Sequence, residues 1–306
     1  MPTRTLDRSP SILPLYARAA APMIPGASLL PFVPGRAKET PDLELVLPGV
    51  RAEPGAVAEY AKVCGFALRD HLPPTYPHVL AFPLHMAVMA DGGFPFGAVG
   101  LVHVENRIVQ HRRIGLDEEL KLTVRPTELE PHPRGRTFGL VTEAWTGRQK
   151  AWESVSTMLR RGGGSTEPAP AADSAAESEA ELTVSGEWRL GGDLGRRYAA
   201  VSGDRNPIHM HSLTAKPLGF SRAIAHGMWT KARCLASLEG RLPDAFSVEV
   251  RFRKPIFLPG RVEFLSAVRD GEIAFAVRDA ERKTPHLDGL SRPVQAKTRS
   301  GRKQAK

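Results

Sequence analysis

Two segments of this chain repeat one another in the same order, and that repeat constrains the fold more than any other feature. Tyr60-Ala61-Lys62-Val63-Cys64-Gly65-Phe66 matches Tyr198-Ala199-Ala200-Val201-Ser202-Gly203-Asp204 at four of seven positions. Further along, Ala81 to Met86 (AFPLHM) stands where Ala223 to Met228 (AIAHGM) stands, and each reads as opening an apolar, helix-like run. Similarity in fixed order marks an internal duplication. Between the copies lies 162–182, GGGSTEPAPAADSAAESEAEL, which is too poor in large apolar residues to order itself. The expected organisation is therefore a first half over 1–161, a flexible linker over 162–182 and a second half over 183–306.

Each half reads as a helix followed by strands. Strand-like alternation runs over 99–104, 119–124, 137–144 and 151–159 in the first half, and over 247–252, 262–268 and 272–277 in the second. The second half's helix, around 223–238, is apolar on much of its surface, as a helix wrapped by a sheet should be. This is the pattern of an α+β fold with one helix packed on an antiparallel sheet in each half.

At 42% hydrophobic and 25% charged, the chain has ordinary globular composition. Cys64 and Cys234 form neither a metal-type spacing nor a disulfide framework, which suits a reducing compartment. The most apolar early stretch, 19–35, is broken by Pro22, Pro25, Pro31 and Pro34, so no membrane span is expected and a cytoplasmic location is. Of the formal charge of +9, five positive residues fall in the last ten, leaving a body of +4. With no nucleic-acid motif beside it, the basic tail reads as a solvated end rather than a nucleic-acid arm.

The chemistry concentrates in 198–228. Asp193 is placed to cap a short helix that Ser202-Gly203 ends. Asn206 precedes Pro207, which pushes Asn206 out of helical geometry and fixes a stiff corner. Asp204 and His209 then flank that corner, and a carboxylate and an imidazole so placed can share a water and trade protons. His226-Gly227-Met228 opens a helix whose first N–H groups have no internal acceptor, and Gly227 lets a ligand oxygen approach closely. Taken singly, each element also has a plain reading: an Asx-type turn, a core histidine, a helix start.

The segments Ser202 to His209, Gly219-Phe220, Ile224 to Met228 and Val250 to Gly260 together closely resemble the hydratase-2 signature of the MaoC-like family. The resemblance is strong over about 185–290, and the first half looks like the degenerate partner domain of double hot-dog dehydratases. It implies a double hot-dog fold, two antiparallel sheets each wrapping a central helix. It also implies reversible hydration of trans-2-enoyl thioesters to (R)-3-hydroxyacyl thioesters of coenzyme A or acyl-carrier protein in fatty-acid metabolism, with no metal or other cofactor. Asp204 and His209 match the catalytic pair, Gly227 N–H the donor to the thioester carbonyl, and Asn206 a position that shapes the catalytic loop. Which of the pair is base and which acid stays open. One departure is that the family's acid two residues past the histidine is here His211.

In the first half, Phe66 replaces the aspartate and no Asp-x-Asn-Pro follows, so a single active site is expected. Phe82 to Met89 and Phe94-Pro95-Phe96 either line an acyl tunnel or are plain core. Arg205, Arg251, Arg253 and Lys254 are placed to meet carrier phosphates, and a homodimer is a possible assembly. Three other readings compete: a hot-dog thioesterase, disfavoured because 221–238 holds no Asp or Glu; a metal site on His209, His211 and His226; and a non-catalytic acyl-thioester binding module, in which Asp204 or His209 would be expected to be lost.

Overall fold

The computed structural model describes residues 1–21, 33–35, 37–162 and 182–294. The expectations for the linker interior and the basic tail lie outside these residues. The first half contains β1 (Thr3–Thr5), α1 (Ile12–Ala20), β2 (Glu44–Arg51), α2 (Pro54–Cys64), α3 (Tyr76–Met89), β3 (Val102–Gln110), β4 (Glu119–Pro126), β5 (Glu130–His132), β6 (Gly135–Thr146) and β7 (Gln149–Arg161). The second contains β8 (Thr183–Leu190), α4 (Leu194–Ser202), α5 (Pro207–Met210), α6 (Ser212–Ala215), α7 (Gly227–Leu238), β9 (Phe246–Phe252), β10 (Gly260–Arg269), β11 (Glu272–Asp279) and β12 (Pro285–Pro293).

Strand alternation does the local work. In β4, Leu120, Leu122 and Val124 are buried while Glu119 and Lys121 face out. The strands join into one sheet ordered β1-β2-β4-β6-β7-β3-β9-β12-β11-β10-β8, with β5 paired to β6. Its seam is the antiparallel pair β3–β9, with Ile108 opposite Val248. Outward from that seam, β3-β7-β6-β4-β2 on one flank and β9-β12-β11-β10-β8 on the other use their strands in the same chain-order pattern. The duplication read from the sequence is thus visible as topology, and the architecture is the α+β double hot-dog.

The repeated segments form the C-terminal ends of α2 and α4. Gly65 (φ 84°) and Gly203 (φ 76°) cap them in the left-handed region, where glycine carries no Cβ penalty. Tyr60 and Tyr198, one from each copy, are both buried, with ring centroids 6.1 Å apart. The copies therefore face each other.

Several sequence expectations are corrected. Asp193 occupies the N-cap position of α4 but its side chain makes no capping hydrogen bond. Ala81 does not open a helix: α3 begins at Tyr76, with Pro77 in its first turn, where a missing N–H costs nothing. The helix is buried on nearly all sides, so it carries no polar stripe to betray its start. The wider bound of 223 for the second helix is likewise too early, whereas the start read at His226-Gly227-Met228 holds: α7 begins at Gly227 with His226 as its N-cap. The strands β2, β8 and β12 were not expected.

The helix α7 also hides a charge. Lys231 is fully buried, and its Nζ donates to Asn106 O (3.0 Å), Asn106 Oδ1 (2.6 Å) and Val248 O (3.2 Å). Those acceptors belong to β3 and β9, so one lysine satisfies its three donors on both sides of the seam. Burial holds its pKa well below that of an ordinary lysine.

Candidate active site

Local rules place Asp204 and His209. Gly203 turns the chain out of α4, and Asn206 (φ −54°, ψ 126°) is held extended by the proline that follows it. Pro207 then starts the single-turn helix α5, and the Asn206 side chain accepts from Ile208 N–H at 3.5 Å. Asp204 Oδ1 accepts from Asn206 N–H at 3.1 Å, which locks the corner around the carboxylate. His209 is buried at the end of α5, with Nδ1 2.8 Å from Ile224 O. A carbonyl can only accept, so Nδ1 carries the proton and the lone pair lies on Nε2.

The surroundings poise both groups. Burial works to raise the Asp204 pKa, but the His226 and His209 rings, the Asn206 N–H and the Tyr16 hydroxyl outweigh it and hold it below the usual carboxylate value. Burial lowers the pKa of His209 despite the nearby Asp204 charge, so the imidazole is neutral near pH 7. His226, the N-cap of α7, stacks on His209 at 3.7 Å between centroids and has its Nε2 3.0 Å from Asp204 O. Burial, then His209, holds its pKa at about 3. Gly227 is the first residue of α7, so its N–H has no acceptor within the helix. A Cβ there would meet the Phe252 ring at 3.0 Å.

One polar neighbour was not anticipated from the sequence. Tyr16 of α1 places its hydroxyl 3.3 Å from Asp204 Oδ1 and accepts from Arg205 N–H at 2.6 Å. Nothing local to Tyr16 signals this.

The ligating atoms of Asp204, His209 and His226 lie within 4.8 Å of one another. As a metal cradle the set fits poorly. The two rings are stacked with centroids 3.7 Å apart and planes 25° from parallel, so their in-plane lone pairs run side by side rather than converge. The combination of His209, His211 and His226 is not assembled, because exposed His211 instead accepts from Leu213 N–H through Nδ1.

Asp204, Asn206, His209 and Gly227 all line one cavity of about 160 Å³ between the halves. The first half supplies Phe82, Met89, Leu101, Leu140 and Met158 to its wall. Phe94 and Phe96 do not reach it; they pack on Phe138 at 5.1 and 5.7 Å as core. Of the cations expected near carrier phosphates, Arg253 and Lys254 line the cavity, joined by Arg134 and Arg161. Arg253 is also paired with Asp288, and Arg251 with Glu105 at 3.3 Å.

A MaoC-like domain model matches residues 169–289. Mycobacterium tuberculosis 3-hydroxyacyl-thioester dehydratase X is 38% identical over 285 residues, spanning 92% of this chain and 98% of that protein. The chain belongs to the MaoC-like family. The crystal structure of HtdX from Mycobacterium tuberculosis superposes on this MaoC-like chain with a TM-score of 0.73 at 35% identity, covering 82% of this chain and all of the other. At the level of fold alone, a Mycobacterium tuberculosis protein described as having a double hot-dog fold matches with a TM-score of 0.53 at 16% identity, over 80% of this chain and 93% of that one.

The first half of this MaoC-like chain keeps a remnant of the same corner. His71 follows Gly65 at the spacing by which His209 follows Gly203, but Phe66 stands in the place of Asp204. Both line a second cavity of about 300 Å³. Within it the histidine has no acid partner at the equivalent position.

Proposed function

We propose that this chain interconverts trans-2-enoyl thioesters and (R)-3-hydroxyacyl thioesters, with Asp204 and His209 as the catalytic pair. The observation that carries this reading is that Asp204 and His209 stand on the wall of one cavity with their ligating atoms within 4.8 Å, while the bond from His209 Nδ1 to Ile224 O leaves the Nε2 lone pair free. In hydration, a water held by Asp204 gives a proton to His209 Nε2 as its oxygen adds to C3. The C2=C3 electron pair moves toward the thioester carbonyl, and the Gly227 N–H supports the resulting enolate oxygen. The imidazolium, stabilised by Asp204, returns the same proton to C2. Dehydration reverses these steps, and Asn206 shapes the loop that holds the acid. The relatives' names, 3-hydroxyacyl-thioester dehydratase X and 3-hydroxybutyryl-CoA dehydratase, support this chemistry.

The proposal includes a division of labour. Residues 183–306 form the catalytic half, 1–161 form the scaffold and acyl wall, and 162–182 link them. No helix among the described residues is long and apolar enough to cross a membrane, and both cysteines are free and buried, which supports a cytoplasmic location. Among the described residues the outer strand β8 pairs only with β10, which supports a homodimer through its other edge.

The deciding experiment is incubation with crotonyl-CoA, following loss of the conjugated enoyl-thioester absorbance and identifying the product by chiral chromatography. (R)-3-hydroxybutyryl-CoA is expected without release of free thiol. Thiol release with no hydration would make the chain a thioesterase instead.

A further inference from the structure

The first half contributes more than apolar surface to the cavity. Along α3, His78, Phe82, His85 and Met89 fall at steps of four, three and four, one helical stripe, and all four line the cavity. His103 of β3 joins them. The His78 ring lies 4.9 Å from His85 and 6.4 Å from His103, centroid to centroid. His103 in turn lies 5.1 Å from Phe252, the ring that packs against Gly227. The histidine recess therefore begins one ring away from the proposed oxyanion donor.

Core packing does not account for these side chains. His85 is served, with Nε2 2.7 Å from Thr142 Oγ1. His78 Nδ1 and His103 Nε2, however, are buried with no hydrogen-bond partner among the described residues. Leaving a buried polar atom unsatisfied carries its full desolvation penalty, and Phe82 and Met89 show that the same stripe accepts apolar residues. Nor is this a metal site. Among the described residues, only Asp204, His209 and His226 bring three ligating atoms close together.

The rings are uncharged. Burial holds His78 at about 4, His103 at about 3 and His85 well below the ordinary histidine value. A neutral imidazole offers one donor and one acceptor, which suits a hydroxyl or a carbonyl. The recess favours neither sign of charge, because the fields of Lys231 and Asp204 both reach His78 and His103 and oppose one another there. Because an imidazole keeps its shape on a half-turn that exchanges nitrogen and carbon positions, a nitrogen turned into the wall can be presented to a ligand at little steric cost.

We propose that this recess binds an uncharged oxygen function, hydroxyl or oxo, carried on the acyl chain beyond the reacting C3, so that the preferred substrates are oxygenated acyl thioesters. The proposal rests on the thioester reading given above. Titration calorimetry with hexanoyl-CoA and 6-hydroxyhexanoyl-CoA tests it, since neither is hydrated or dehydrated at C2–C3 and the 6-hydroxyl is poorly placed to lactonise. The wild-type protein is expected to bind the hydroxylated thioester about 10-fold more tightly, the scale of one well-made hydrogen bond to a site otherwise left unpaired. His78→Phe, checked for folding by its thermal transition, is expected to bring the ratio close to one. Equal or weaker binding of the hydroxylated thioester by the wild type overturns the proposal, with no variant needed. So does a preference that survives in both His78→Phe and His103→Phe. Failure to hydrate crotonyl-CoA, by contrast, counts against the reaction and leaves this binding comparison intact.

Discussion

The Tyr16 hydroxyl stands 3.3 Å from Asp204 Oδ1 across 188 positions of sequence, and it also accepts the N–H of Arg205 at 2.6 Å. The N-terminal helix thereby holds both the carboxylate and the backbone that follows it. Ile12 of the same helix packs toward Gly203, the cap that releases the chain into the corner.

Tyr16→Phe removes that hold while preserving the ring. Its hydroxyl helps to lower the Asp204 pKa, so its loss raises that pKa, and the ionised acid persists over a narrower range on the acid side. The expected result is a fall in kcat of about 10-fold, a small change in KM, and an acid limb displaced to higher pH. A kcat–pH profile that superimposes on the wild type's would reduce Tyr16 to a packing residue.

Asp204→Asn and His209→Ala address the chemistry itself. General acid–base help is worth about 10²–10⁴-fold, and each variant is expected to lose that much turnover with crotonyl-CoA while its circular dichroism stays native. Near-wild-type turnover in either would remove that residue from the proposed pair. Gly227→Ala is expected to act through geometry, because the added Cβ meets the Phe252 ring at 3.0 Å and one or the other must shift.

The buried histidines make stability depend on pH. His78, His103 and His226 have folded pKa values of about 4, 3 and 3 against 6.5 for the exposed group. Between these limits the unfolded chain binds more protons than the folded one, so unfolding free energy rises with pH. Their contribution is complete above about pH 6.5 and is lost as the pH falls toward the folded values. Urea unfolding at pH 7.5 and pH 5 is expected to show a loss of roughly 1–2 kcal/mol for each such histidine. A curve flat over that range would mean that these rings are protonated in the folded protein.

What was legible in the sequence was what is local. The corner from Ser202 to His209 is one contiguous run in which Gly203 and Pro207 dictate the backbone, so Asp204, Asn206 and His209 could be placed from residue types alone. The helix start at Gly227 was legible for the same reason. Tyr16 was not, because its partner lies in the other half. Lys231 reads as a surface charge until β3 and β9 bring three acceptors to it. The strand β12 was masked by Asp288, Gly289 and Arg292, which break its alternation; Gly289 is there because the Phe275 ring covers it and leaves no room for a Cβ.

The last prediction concerns the first half as scaffold. Separating 183–306 from 1–161 strips β9 of its pairing with β3, from Glu105↔Arg251 to Gln110↔Phe246. It leaves a bare central edge of the kind that recruits other strands. Lys231 keeps Val248 O but loses both acceptors on Asn106, which leaves an under-satisfied ammonium buried in α7. Asp204 loses the Tyr16 hydroxyl, and the cavity loses Phe82, Met89, Leu101 and Met158 from its wall. Expressed alone, 183–306 is therefore expected to be self-associating and weakly active despite holding Asp204, His209 and Gly227. Supplying 1–161 in trans should restore both a defined mass by light scattering and turnover of crotonyl-CoA. A monomeric, fully active 183–306 would show that catalysis needs neither the seam nor the first-half wall, and the division of labour proposed for the halves would fall with it.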